Sequence, residues 1–165
     1  MFEKYVLNGF DRCFERIVNS GERQLFMDVL YLETIPDVDL YHDLRTSVGW
    51  AVFCREQSEN ALKNSCYCVI AKDGDQTVAM GRAVGDGMYY TIVDVIVRPQ
   101  YQGRKIGSEI VNRLVNRIKL DAPDGGRISI QLIAALGKEG FYVKQGFKVL
   151  PNENAGPALR KVIYT

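Results

Sequence analysis

The stretch that most limits the fold runs from Met88 to Leu120. An apolar run, "MYYTIVDVIVRP", is stopped by Pro99, and a helical pattern follows within a few residues. Proline lacks the amide that a strand ladder needs, so it marks the end of the strand. From Lys105 to Leu120, Ile106, Ile110, Val111, Leu114, Val115 and Ile118 recur at helical spacing, while Arg104, Ser108, Glu109, Asn112, Arg113, Asn116 and Arg117 fill the opposite face. A one-sided apolar stripe of that kind has to be covered by a sheet or another helix. The joint between the two elements, "QYQGRKIGSEIV", places glycines and cations at a helix mouth.

The rest of the chain is compatible with one sheet. "CYCVIAK" and "QTVAMGRAVGD" are separated by "DGD", a hairpin pattern. "LFMDVLYLET" (25–34), "RISIQLIA" (127–134), "FKVL" (147–150) and "PALRKVIYT" (157–165) also read as strands. Helices are predicted after Pro36 and Asp37 up to Gly49, over "REQSENALKNS" (55–65), and over "GKEGFYVKQG", which Gly146 ends. Phe10, Phe14, Ile17 and Val18 allow a short amphipathic helix near the start. A hairpin meander followed by strand–helix–strand–helix–strand predicts an α+β (α/β) fold with a mixed central sheet flanked by helices. The 165 residues fit one domain, with 1–24 as an N-terminal extension.

Composition removes several function classes. The net charge of +1 gives no overall basic field, so nucleic acid is not expected as a partner. No apolar run reaches the ~18 residues that span a bilayer, so no membrane association is expected. Cys13, Cys54, Cys66 and Cys68 form no CxxC pair, and the single histidine, His42, has no cysteine nearby. Free thiols are therefore expected rather than a metal site, in a reducing, cytoplasmic setting. Cys66 and Cys68 would share a strand face.

A helix N-terminus carries unpaired amides and a partial positive charge, and glycines beside it let anionic oxygens approach the backbone. "QGRKIGS" therefore has the makings of a phosphate seat. A plain turn before a surface helix would look similar. The spacing is neither a Walker A loop nor a G-x-G-x-x-G fingerprint.

The stretch "DVIVRPQYQGRKIGSEIVNRLV" resembles the acyl-coenzyme A motif of the GNAT superfamily of N-acetyltransferases, Gln/Arg-x-x-Gly-x-Gly/Ala. Gln102 and Gly107 match its first and last positions, and Lys105 stands where the family usually has the middle glycine. "GKEGFYVKQGFKVLPN" resembles the second hallmark, Phe-Tyr-x-x-x-Gly-Phe, through Phe141, Tyr142, Gly146 and Phe147. The resemblance covers roughly residues 25–165. It implies a strongly twisted GNAT-like sheet that splays after the Met88–Arg98 strand. It implies acetyl-CoA as cosubstrate and no metal. The backbone of Val95, Ile96 and Val97 would pair with the pantetheine arm. The amides of Gln102, Gly103, Arg104, Lys105, Ile106, Gly107 and Ser108 would hold the pyrophosphate. The acetyl group would pass directly to a primary amine of a small molecule.

Such a transfer needs an amine that loses a proton, a polarised thioester and a stabilised leaving thiolate. A phenol, with a reference pKa of about 10, suits the last task. The resemblance implies Tyr142; packing beside Phe141 is the plainer reading. The polarising donor would be a backbone amide of the Val95–Val97 segment. Asp94, an acid inside an apolar strand, is the candidate base, or else a structural residue bonded to neighbouring backbone. Lys105 is expected to hold ordinary helical angles, so that glycine is not obligatory there. Asp37, Asp39, Asp43, Asp86, Trp50, Tyr89 and Tyr90 are candidates for an acceptor pocket suited to a cationic or aromatic amine. A non-catalytic acyl-CoA sensor, a peptide-directed acetyltransferase and a homodimer remain open on sequence grounds.

Overall fold

The structure is a computed structural model that describes residues 29–163. The expected helix within residues 1–24 and Cys13 lie outside those residues. In chain order the elements are β1 (Leu30–Leu32), α1 (Val38–Ser47), α2 (Arg55–Lys63), β2 (Tyr67–Asp73), β3 (Gln76–Gly85), β4 (Tyr89–Val97), a 3₁₀ turn (Pro99–Tyr101), α3 (Ile106–Leu120), β5 (Ser129–Leu132) and α4 (Glu139–Val143). One sheet runs β1-β2-β3-β4-β5. Its first three pairings are antiparallel and β4–β5 is parallel, which makes it mixed as expected.

Local chemistry sets the helix ends. Asp37 caps α1 by accepting the Leu40 amide at 2.8 Å. Gly49, at φ +74°, follows the C-cap Val48, where the left-handed turn favours glycine. The DGD hairpin forms as predicted, with Asp73 paired to Gln76 across the turn.

Two apolar layers cover the sheet. On one face α3 buries Ile106, Ile110, Val111, Leu114 and Ile118 against Val69, Ala71, Val78, Ala83 and Ile92. On the other, Val38, Tyr41 and Leu44 of α1 meet Leu62, Cys68, Ile70, Met80 and Ile96. Val69 and Ala71 belong to the first layer, Cys68 and Ile70 to the second, as strand alternation requires. Cys66 precedes β2 and is exposed, whereas Cys68 is buried, so the two do not share an environment. Burial pushes the Cys68 thiol up to about 12, which keeps it protonated.

Three expectations are corrected. Of the strand expected over 25–34, the described part extends only over Leu30–Leu32. "FKVL" and the described part of "PALRKVIYT" form no strand. Leu159 and Ile163 stand 93% and 71% exposed, so these side chains have no sheet surface under them. The helix expected over "GKEGFYVKQG" extends only over Glu139–Val143.

Candidate active site

Strand β4 changes phase in its middle. Ile92 packs in the α3 layer, yet Ile96, four residues on, packs in the α1 layer. A regular strand would put both on one face. The pairing with β3 explains the difference. Met80 opposes Ile96 and Arg82 opposes Val93, so two steps on β3 match three on β4. The extra residue is a β-bulge, and Asp94 within it takes φ +52°. Val95 and Val97 are thereby turned to the α3 layer.

The same region is where β4 and β5 part. Their parallel ladder covers only Tyr89–Ile92 against Ser129–Leu132. The remaining stretch, Val93 to Val97, pairs with β3 alone. The Arg98 amide donates to the Val78 carbonyl, so by alternation Ile96 bonds toward β3 and the backbone groups of Val95 and Val97 face the open side. The Gln102 side chain donates to the Val97 carbonyl at 3.0 Å. A cleft edged by strand backbone therefore leads from the bulge to the mouth of α3.

At that mouth, α3 begins with Ile106, and its N-cap Lys105 makes no side-chain cap bond. Lys105 sits at φ +63°. The expectation of ordinary helical angles there is corrected: Lys105 is the cap, one residue outside the helix, in a region where a side chain crowds the backbone. That strain is the physical reason a glycine suits this position. Gly103 is also left-handed, at φ +78°, with open space where a Cβ would point. A Cβ on Gly107 would instead meet Phe141 and Val97 side chains at 3.4 Å. Gly107 thus lies where α3 packs closely on β4 and α4. This contact also joins the two sequence hallmarks in space.

Tyr142, beside Phe141 on α4, makes edge contacts with Phe141 and Phe147 at centroid distances of 4.8 and 6.0 Å. Burial raises its phenol pKa above the usual value, so it is a proton donor at neutral pH. Among the described residues no hydrogen bond to its hydroxyl is present, which leaves the group available to a substrate atom.

Asp94 is not the isolated acid that an apolar strand implied. Arg45 donates to one carboxylate oxygen at 2.7 Å, and Arg82 and the Tyr41 hydroxyl donate to the other at 2.6 and 3.0 Å. The three charged side chains are only 10–12% exposed, so solvent screens them little. Arg45 further donates to the Ala51 carbonyl and lies over the rings of Tyr41, Trp50 and Phe53, 4.8–5.6 Å from their centroids. Arg82 reaches the Ala61 carbonyl and Ser65. Burial, then the neighbouring Asp94 carboxylate, raises the Tyr41 phenol pKa.

The acids expected around an acceptor pocket are dispersed. Asp37 caps α1, Asp39 pairs with exposed Arg55, and Asp43 pairs with Arg98. Asp86 accepts the Met88 and Tyr89 amides in its own turn. Tyr90 is buried, while Tyr89 is exposed. Trp50 does lie next to the bulge, through Arg45.

The GNAT acetyltransferase domain model matches residues 64–149, just over half the chain. The chain belongs to this acetyltransferase family. The uncharacterized N-acetyltransferase ycf52 of Pyropia yezoensis is 31% identical over 129 residues, covering 74% of this chain and 71% of that protein. Serotonin N-acetyltransferase 2 of Oryza sativa subsp. japonica is 31% identical over 127 residues, covering 74% of this chain and 62% of that protein. A solved probable acetyltransferase from meticillin-resistant Staphylococcus aureus is 32% identical with a TM-score of 0.71, over 81% of this chain and 99% of that one. A GNAT family protein from Streptococcus pneumoniae, 27% identical, gives 0.69 over 81% and 98%.

The parts present are a β4 edge that beyond Ile92 has no β5 partner and whose Val97 carbonyl Gln102 occupies, a helix mouth with no side-chain cap, and, on α4, a phenol with no hydrogen bond among the described residues. These features fit acyl-coenzyme A, whose pantetheine resembles a peptide and whose pyrophosphate is a dianion. Sequence reasoning missed Tyr41, Arg45 and Arg82. Arg82 was visible as the single charge in "QTVAMGRAVG", one strand away from Asp94 in another apolar run. Two opposite charges buried in successive strands have to find each other.

Proposed function

We propose that this GNAT acetyltransferase transfers the acetyl group of acetyl-CoA to the primary amine of a small molecule, with Tyr142 as general acid. The observation that carries the reading is the open side of β4 at the α3 mouth, where Val97 and Phe141, the residue before the unbonded Tyr142, both lie beside Gly107. Val95 and Val97 would pair with the pantetheine arm, with Ile96 between them. Gln102, Gly103, Arg104 and Lys105, with the first-turn amides of Ile106, Gly107 and Ser108, would hold the pyrophosphate. The Val95 amide would polarise the thioester carbonyl. The neutral amine attacks that carbon and the C–S bond breaks. Tyr142 gives its proton to the departing sulfur and regains one from solvent, and the amine's surplus proton leaves to water.

The acceptor class follows from what surrounds the bulge. Trp50 and Phe53 rings lie there, Phe53 is half exposed, and the acids are engaged elsewhere. That supports an aromatic amine over a polycation. The rice relative, a serotonin N-acetyltransferase, points the same way. Thiol release from acetyl-CoA with a panel of arylalkylamines, polyamines and peptides tests this. Release with arylalkylamines supports it; release with peptides alone overturns the small-molecule assignment.

Two substitutions probe the seat. Gly103→Val forces a β-branched residue to φ +78° and fills the open space beside the helix mouth. CoA affinity by calorimetry should fall about tenfold, since backbone strain of this kind is worth about 1–2 kcal/mol. Lys105→Gly relieves strain, which glycine's greater unfolded freedom offsets, so stability should move by less than about 1 kcal/mol. Loss of the cation should weaken CoA binding about three- to fivefold at low salt, as for an exposed ion pair. The difference should vanish at high salt. Tighter binding by the glycine variant would mark the lysine as an obstruction.

A further inference from the structure

Asp94 combines two features that oppose each other. Its backbone is in a region that a non-glycine residue avoids, and its side chain on β4 is bonded from two other elements, by Tyr41 and Arg45 on α1 and Arg82 on β3. Strained conformations persist where surrounding contacts over-determine them. Here the contacts come from both sides of the bulge. Arg82 lies across from Val93, immediately before the extra residue, and its guanidinium is itself fixed by the Ala61 carbonyl and Ser65. Arg45 is fixed by the Ala51 carbonyl. Both carboxylate oxygens accept from guanidinium groups that are themselves held by other partners, and that disposition suits an anchor.

The anchored residue controls direction. Without an extra residue in β4, the alternation would carry Val95 and Val97 to the other face and turn Ile96 toward α3. The backbone groups that now face the cleft would face β3.

We propose that Asp94, Arg45 and Arg82 form a clamp that holds the β4 bulge and thereby aims the Val95 amide, which makes them positioning residues for acetyl transfer. This rests on the acetyl-CoA reading above. A substitution at Asp94 keeps the extra residue in β4, so Val95 and Val97 still face the cleft and the nucleotide seat is untouched; what loosens is the aim of the Val95 amide, so loss of the clamp should divide the kinetic constants. Asp94→Ala should lower kcat at least tenfold, with the KM for acetyl-CoA and the calorimetric affinity for CoA each within threefold of wild type. In nuclear magnetic resonance spectra, the Val95 amide of the wild-type chain should shift on adding acetyl-CoA beyond its shift with CoA, and that excess should disappear in Asp94→Ala. Asp94→Gly removes the clamp but suits φ +52°, so it should melt no lower than Asp94→Ala while losing as much kcat.

A structural role alone predicts something else: kcat and CoA affinity falling together, in step with the melting temperature, and that result overturns the clamp. Unchanged kcat and an unchanged Val95 shift in Asp94→Ala do so too, while leaving the acetyltransferase reading intact. A wild-type chain that binds neither CoA nor acetyl-CoA overturns that reading and the clamp with it. Should Asp94→Ala fail to fold, Arg82→Lys and Arg82→Gln carry the test. Lysine keeps the charge and should retain several times the kcat of glutamine; equal turnover in the two overturns the clamp.

Discussion

Tyr142→Phe should lower kcat about a hundredfold while leaving the KM for acetyl-CoA within about threefold, because a positioned general acid contributes 10²–10⁴ to a rate. The substitution removes one hydroxyl and keeps the ring. The edge contacts to Phe141 and Phe147 survive, so the packing of α4 on the mouth of α3 should hold. The pH profile adds a second check. Burial raises the phenol pKa, so the acid form persists through neutral pH and is lost only above the ordinary value of about 10. Wild-type kcat should therefore fall on an alkaline limb beyond that value, and Tyr142→Phe should lack the limb. Folding follows the same sign. Stability from keeping this phenol neutral is complete below about pH 10 and declines above it, as the unfolded chain ionises first. A phenylalanine variant with wild-type kcat would leave Tyr142 a packing residue.

The parts of the site that were legible in sequence are those set by local chemistry. Pro99 ended β4, the apolar stripe gave α3, and the DGD hairpin joined β2 to β3, because each effect acts within a few residues. What sequence hid was phase. Ile92 and Ile96 in "TIVDVIV" look like one face of one strand, and only the partner strand shows that a residue is extra between them. Asp94 accordingly read as an isolated acid, since its partners lie 12, 49 and 53 positions away. Lys105 was misplaced by a single residue, from the first turn to the cap, and that step changes the sign of its φ. The C-terminal runs "FKVL" and "PALRKVIYT" have side chains that suit a pleat. Propensity cannot supply the neighbouring edge that a strand needs.

The opposite side of the bulge offers the second large effect. Gly81 lies on β3 between the residues that pair with Ile96 and Val93, and α3 crosses directly above it. A Cβ there would come within 2.5 Å of the Ile110 Cγ2 and 3.3 Å of the Leu114 Cδ1. Ile110 is β-branched and fully buried, so it has little freedom to turn away. Gly81→Val should therefore destabilise the protein by about 2–3 kcal/mol, the upper part of the range for overpacking. Glycine's flexibility gives a small opposing gain on substitution. Gly140→Ala is the matched control. It lies in α4 with nothing within 4 Å of its would-be Cβ, so urea unfolding should show no loss and a gain of up to about 1 kcal/mol. The functional consequence of Gly81→Val separates it from an ordinary core defect. To make room, α3 must lift from β3, and its N-terminus moves with it relative to β4. CoA affinity should fall more in Gly81→Val than in Leu114→Ala, even though that truncation should cost a comparable ~2–5 kcal/mol. The reason is that a cavity can relax locally, whereas an overpacked contact displaces the helix as a body. Equal CoA affinity in the two variants would show that the seat does not depend on how closely α3 lies on the sheet.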